Sequence, residues 1–278
     1  MVISSSVVQP PVDAVAPAGW ATATLIAVCI IDVGLLTWAA YDWRKRRSPI
    51  LFVCLIGGAV SNLVEAPLDT LLMCYFPGRG QVVAYTTFDR PIPLWATLCY
   101  PILFGVMAYV FFRVFETQRT RAQFWKIVLI GFAINAVLEF SILSTHIYMY
   151  YGEQPFRVLR FPLYWLVLNN GASVLVATIA YHLRDYWRGP RWLALIVVFP
   201  SAQLGFLAFV GWPLASVMNT GAGLLWTTLA GIVTVAMGLF LFDVAARISC
   251  ADGTWRLTRR ATPDNEAIAR TPRQQSAV

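Results

Sequence analysis

The chain has 278 residues, 58% of them hydrophobic and only 13% charged, with a net charge of +7. Soluble domains carry about 25% charged residues, so a soluble globular protein is excluded. The basic residues sit in short clusters between apolar runs, a pattern that belongs to membrane topology and excludes a nucleic-acid partner.

Residues 1–18 contain no Lys or Arg, so no cleavable signal is expected and the segment reads as extracytoplasmic. Seven runs then reach the roughly 20 residues that a spanning helix needs: 20–42, 51–75, 93–114, 124–148, 162–183, 191–212 and 222–246. They predict an all-α membrane domain of seven transmembrane helices over residues 19–247. The first connection holds Arg44, Lys45, Arg46 and Arg47, the third Arg113, Arg119, Arg121 and Lys126, and the fifth Arg184, Arg188 and Arg191. The second, fourth and sixth are poorer in positive charge. This asymmetry puts the N-terminus outside and the C-terminus in the cytoplasm, with a bacterial plasma membrane as the expected location. Residues 248–278 read as a disordered basic tail with some attraction for anionic headgroups. Trp20, Trp43, Trp95, Trp125, Trp187, Trp192 and Trp212 fall near run ends, as interfacial belts require.

Within this apolar background, a few polar residues share helical faces. Asn62, Glu65 and Asp69 are spaced three and four apart in the second run; Asn135, Glu139 and His146 share a face of the fourth. The fifth run adds Trp165, Asn169 and Ser173 on one stripe, with Asn170 alongside. At about 1.5 Å per residue the three faces meet at one depth, in the outer half of the bundle. Tyr100 and Trp226 fall near the same level, and Asp32 lies near the middle of the first run. No Lys or Arg occupies the depth of Glu65 and Glu139, so at least one of them is expected to be protonated. Asp243, four residues before Arg247, reads as an ion pair instead. The segment VVAYTTFDRPIPLW is either a partial lid over the cavity or a surface junction carrying the Asp89–Arg90 pair.

Several chemistries are excluded. Only Lys45 and Lys126 exist, both at cytoplasmic ends, so a retinal Schiff base on the last helix is impossible. His146 and His182 lie at opposite faces and cannot share a haem, and no imidazole cluster supports a di-iron site. The five cysteines form no CxxC pair. No metal and no cofactor are expected.

The remaining chemistry is acid catalysis on an apolar lipid. Protonating an alkene or epoxide needs a neutral carboxylic acid, aromatic faces for the developing cation, and a dry pocket. Glu65, Glu139, Asp69 and Asp32 are the candidate acids; Tyr100, Tyr164, Trp165 and Trp226 are the candidate aromatic walls, with Asn62, Asn135, Asn169 and Asn170 as substrate contacts. In size, helix count and intramembrane acids the chain resembles the small seven-helix membrane terpene cyclases of meroterpenoid pathways, and more distantly sterol isomerases of the emopamil-binding type. The resemblance centres on IGGAVSNLVEAPLD in the second run and covers most of the membrane domain. It implies cyclisation or isomerisation of an isoprenoid-like substrate, with Glu65 as the position carried over. The family's second acid, near the C-terminal end, has no counterpart, because Asp243 lies close to the cytoplasmic face. Two other classes stay open: a proton-coupled carrier or receptor for a small apolar or cationic ligand, and a non-catalytic assembly subunit. The oligomeric state is not legible.

Overall fold

The computed structural model describes residues 8–255 and is mostly helical. The first run forms one helix, α1 (Ala18–Arg46). The second is divided into α2 (Ile50–Ser61), a 3₁₀ turn over Asn62–Val64, and α3 (Glu65–Leu72). Pro67 explains the division: it has no N–H to donate and is best accommodated in a first helical turn, and the helix restarts two residues before it. The third run forms α4 (Leu94–Tyr100), a π segment over Pro101–Gly105, and α5 (Val106–Glu116). Then come α6 (Arg121–Ser144), α7 (Trp165–His182), α8 (Trp192–Phe206), a second π segment over Leu207–Gly211, α9 (Trp212–Met218) and α10 (Leu224–Ser249).

Six of these units are long and apolar enough to cross a membrane, which makes the chain a multi-pass membrane protein. The fifth run, α7, differs in kind. Thirteen of its eighteen residues are buried, because α5, α6, α8 and α10 all pack around it. A helix shielded by other helices can carry Asn169, Asn170 and Ser173 without facing lipid. The first run is the opposite case: α1 lies at the periphery against α2 and α4 and buries few of its side chains.

The connections at one end of the bundle depart from the all-helical expectation, since they fold into three two-stranded ribbons. Strands β1 (Cys74–Tyr75) and β4 (Met149–Tyr150) tie the ends of the second and fourth runs together, with Cys74 opposite Tyr150. β2 (Val83–Thr87) and β3 (Arg90–Pro93) form a hairpin whose two turn residues, Phe88 and Asp89, both have positive φ, the backbone that a tight hairpin turn requires. β5 (Arg157–Val158) pairs with β6 (Phe161–Pro162).

Glycines set one close helix approach. A Cβ on Gly58 would lie 2.8 Å from the Gly105 nitrogen, and one on Gly105 would lie 2.7 Å from the Cys54 carbonyl oxygen. The second and third spans therefore touch backbone to backbone, next to the breaks in both helices.

The boundary expected at residue 248 moves. α10 continues to Ser249, Cys250 is buried, and the chain folds back so that the Ala251 N–H donates to the Arg119 carbonyl at 2.9 Å. Asp252 accepts from the Arg121 N–H at 2.7 Å. The rest of the expected tail, residues 256–278, lies outside the described residues, as do residues 1–7.

Candidate functional site

A cavity of about 80 Å³ lies beneath the ribbons, where the breaks in the second and third runs meet α6, α7 and α8. Three carboxyl groups line it: Glu65 and Asp69 from one face of α3, and Glu139 from α6. Each is held differently. Tyr100 donates its hydroxyl to Glu65. Tyr148 donates to Glu139, which also accepts from Asn169 Nδ2 at 3.4 Å. Asp69 keeps one buried oxygen, Oδ2, with no hydrogen-bond partner among the described residues.

Aromatic rings make up much of the remaining wall. Phe76 stacks on Tyr148 with centroids 5.3 Å apart, Trp95 lies 5.9 Å from Tyr148, and Tyr150 lies 5.8 Å from Trp165. Tyr100 and Phe104 face each other at 4.6 Å. Burial pushes the Tyr148 and Tyr150 phenols well above the ordinary tyrosine range, and the nearby Glu139 charge pushes them further. Both therefore stay neutral hydrogen-bond donors. Two more lining atoms have no partner among the described residues, the Trp165 indole Nε1 and the Gln203 carbonyl Oε1. Buried polar atoms are almost always paired, so three orphans around one cavity mark a place for a ligand or ordered water.

No residue of the hairpin β2–β3 lines this chamber, which Trp95 reaches from just beyond it; Asn62 anchors the hairpin. The Tyr85 hydroxyl donates to the Asn62 carbonyl at 2.5 Å and lies 3.0 Å from Oδ1, which also accepts from Thr97 at 2.8 Å. Trp95 Nε1 donates to Gln81 at 2.8 Å, closing the edge. Asn62 thus braces the hairpin instead of lining the cavity. Arg90 is no surface partner of Asp89. It is only 7% exposed, lies 5.5 Å from each of the Tyr75 and Tyr151 rings, and donates to Tyr151 at 2.7 Å and Thr70 at 3.3 Å. A cation thereby reaches the Asp69 end of α3, closer to the acids than the linear sequence implies. Among the described residues no Lys, Arg or His lines the cavity itself.

Of the expected site residues, Glu65, Asp69, Glu139, Tyr100, Trp165 and Asn169 come together on the cavity. Asn135 is buried just beyond it and accepts from Asn169 at 3.2 Å, while Asn170 turns back to its own helix at the Leu166 carbonyl. Tyr164 stacks behind Trp165 and donates to Gln154 at 2.7 Å, supporting the wall without forming it. Three further assignments are corrected. Trp226 is 58% exposed on α10, because that helix turns this face outward. Asp32 is half-buried on peripheral α1 and lines no part of the cavity, with α4 packed between that helix and the chamber. His146 also leaves the Glu139 face: α6 ends at Ser144, and His146, with φ of 61°, is exposed against Arg160.

Sequence reasoning missed Tyr148, Tyr150, Phe76 and Gln203, and it assigned Trp95 to the interfacial belt although Trp95 is only 4% exposed. The tyrosines are brought in by a two-residue strand pairing too short to leave a periodic signal. Gln203 did carry one: a lone amide in an otherwise apolar helix, three residues after Pro200.

No protein-family model matches this chain, and no curated protein or solved structure shows detectable similarity to it.

Proposed function

We propose that this protein is an intramembrane acid catalyst that cyclises or isomerises an apolar, isoprenoid-like lipid. In this reading α7 is a seventh crossing, the N-terminus is outside, and the ribbon-covered end faces away from the cytoplasm. The observation that carries it is three carboxyl groups facing one small aromatic cavity lined by no basic side chain. Three like charges in a water-poor space cannot all be ionised together. The contacts distribute the roles. Glu139 accepts from both Tyr148 and Asn169, and Arg90 lies at the Asp69 end of α3. Glu65, with the Tyr100 hydroxyl as its single partner, is left to hold the proton.

Proton transfer from Glu65 to a substrate double bond or epoxide leaves a carbocation that the faces of Trp165, Tyr148 and Phe76 stabilise. Loss of a proton from a neighbouring carbon to a carboxylate of the cavity ends the reaction. Protons balance, and no oxidant is required. The aromatic walls keep water from trapping the cation. The resemblance to membrane terpene cyclases supports the same acid, Glu65. The test is conversion of candidate isoprenoids by membranes carrying the protein, against Glu65→Gln and Glu139→Gln. Lost conversion at unchanged protein level supports proton donation, whereas full conversion by both variants would falsify it.

One observation favours a second reading, a proton-coupled carrier. Three of the long helices are interrupted, at Asn62–Val64, Pro101–Gly105 and Leu207–Gly211, and broken helices often build carrier sites. Uptake of substrate into sealed vesicles without chemical change separates the two.

A further inference from the structure

A second space of about 140 Å³ lies between the third span and α6, and two side chains, Leu103 and Asn169, line both it and the acid cavity. Its walls are Ile102, Val106 and Met107 on one side and Ile134 and Leu138 on the other. Ile134 is 51% exposed on the outer surface of the bundle. Since α6 is one of the helices suited to crossing a membrane, that surface meets hydrocarbon, and the space opens toward it. The π segment over Pro101–Gly105 is what places Leu103 at the junction, and such bulges recur at functional sites. Asn169 links the two spaces chemically as well. Its Nδ2 lies 3.2 Å from Asn135 Oδ1 at the edge of the cleft and 3.4 Å from Glu139 Oε1 in the cavity.

Resting on the lipid-catalyst reading, we propose that this cleft is the lateral entrance from the bilayer. The occupant is the substrate's own apolar chain: its reactive end reaches the acids past Leu103 while its tail stays between the third span and α6. Adjacency to the acid cavity, across the shared Leu103 and Asn169 side chains, is the reason to assign it to substrate instead of to a resident phospholipid. A chain of that kind cannot cross the ribbons, because Trp95, Gln81 and Tyr85 tie the hairpin down through hydrogen bonds. Leu138 and Gly131 then set the tail that is accepted. Gly131 is packed to the limit: a Cβ there would lie 2.7 Å from both Met107 Cε and Asn170 Oδ1, so any side chain drives Met107 or Asn170 into the cleft.

The test uses the full chain in phosphatidylcholine–phosphatidylglycerol vesicles and two photoactivatable probes, a diazirine-bearing C15 isoprenoid alcohol and a diazirine-bearing phospholipid. Crosslinked residues are mapped by mass spectrometry. The expected result is isoprenoid labelling of Leu103 and Leu138 in the cleft and of Trp165 in the cavity. In Leu138→Trp, labelling of Trp165 falls by roughly tenfold, since added bulk in a packed space is poorly tolerated. Gly131→Leu provides a second route to the same loss, and melting curves confirm that the variants fold. Ser216→Trp, beside a space that shares no residue with the cleft or the acid cavity, leaves labelling unchanged. Equal labelling of Trp165 in the wild type and both filled variants overturns the entrance while leaving the catalyst reading intact. Labelling of the cleft by the phospholipid alone overturns it too, as a structural lipid site. No isoprenoid label on any cavity residue overturns the entrance and the catalyst reading together.

Discussion

Tyr148 donates its hydroxyl to Glu139 from outside the helix that carries the acid. Only nine residues separate them, yet the contact depends on a distant pairing. β1 and β4 place Cys74 opposite Tyr150, and this holds the segment after α6 folded back over the cavity. The acid belongs to one span, while its hydrogen-bond donor is positioned by the end of another.

Tyr148→Phe keeps the ring stack on Phe76 and removes only the donor to Glu139. A hydrogen bond to a charged group contributes about 1.5–3 kcal/mol. The expected outcome is a fall in isoprenoid conversion of about ten- to a hundredfold, read from initial rates in membranes matched for protein content. An unchanged rate removes Tyr148 from the site.

Gln203 separates stability from function. Its buried Oε1 has no partner among the described residues, and leaving such a group unsatisfied costs about 1–3 kcal/mol. Gln203→Met fills similar space without the orphan. Thermal melting in detergent is expected to rise by a few degrees, about what a gain of 1 kcal/mol gives in a chain of this size, while conversion falls. A variant that melts lower and converts normally contradicts a ligand-facing role for Gln203.

Trp95 and Trp226 make a contrasting pair, one 4% and the other 58% exposed. Trp95→Leu opens the cavity edge by removing the bond to Gln81 and one face of the aromatic wall, so conversion is expected to drop severalfold. Trp226→Leu changes only an outward-facing ring and leaves conversion within error. The same rate assay decides both.

Gly58 tests the helix crossing that sets the acids' positions. Gly58→Val places side-chain atoms against the Gly105 backbone, 2.8 Å from a new Cβ, and overpacking of this kind costs about 1–3 kcal/mol. The expected result is a lower melting temperature together with lost conversion. A variant of wild-type stability shows that the two spans can separate without penalty.

The polar faces were legible because helical spacing is local. Glu65 and Asp69 are four apart and share a side wherever that helix packs. Depth counting placed Glu139 and Asn169 at the same level, and the structure joins them. What the spacing left open is which way each face turns. Trp226 has acceptable depth but lies on the outward side of α10. Asp32 is on the inward stripe of α1, but that helix packs on α2 and α4 at the periphery and does not reach the chamber. The three interrupted helices were hidden for a related reason: a proline marks a weak point, and only the neighbouring helix decides whether a 3₁₀ turn, a π segment or a simple kink resolves it.

The sequence by itself determined that this chain lives in a membrane, roughly where its apolar runs lie, and which of them carry acids. Those properties follow from hydropathy and from a fixed rise per residue, both read along the chain. Only the tertiary structure decided that Glu65, Asp69 and Glu139 share one cavity and that Tyr148, Trp95 and Gln203 complete it. It also decided that Arg90 folds in beside Thr70. Such contacts join residues far apart in the chain, and they depend on helix rotation and on ribbons two to five residues long. Neither leaves a periodic trace in the order of amino acids.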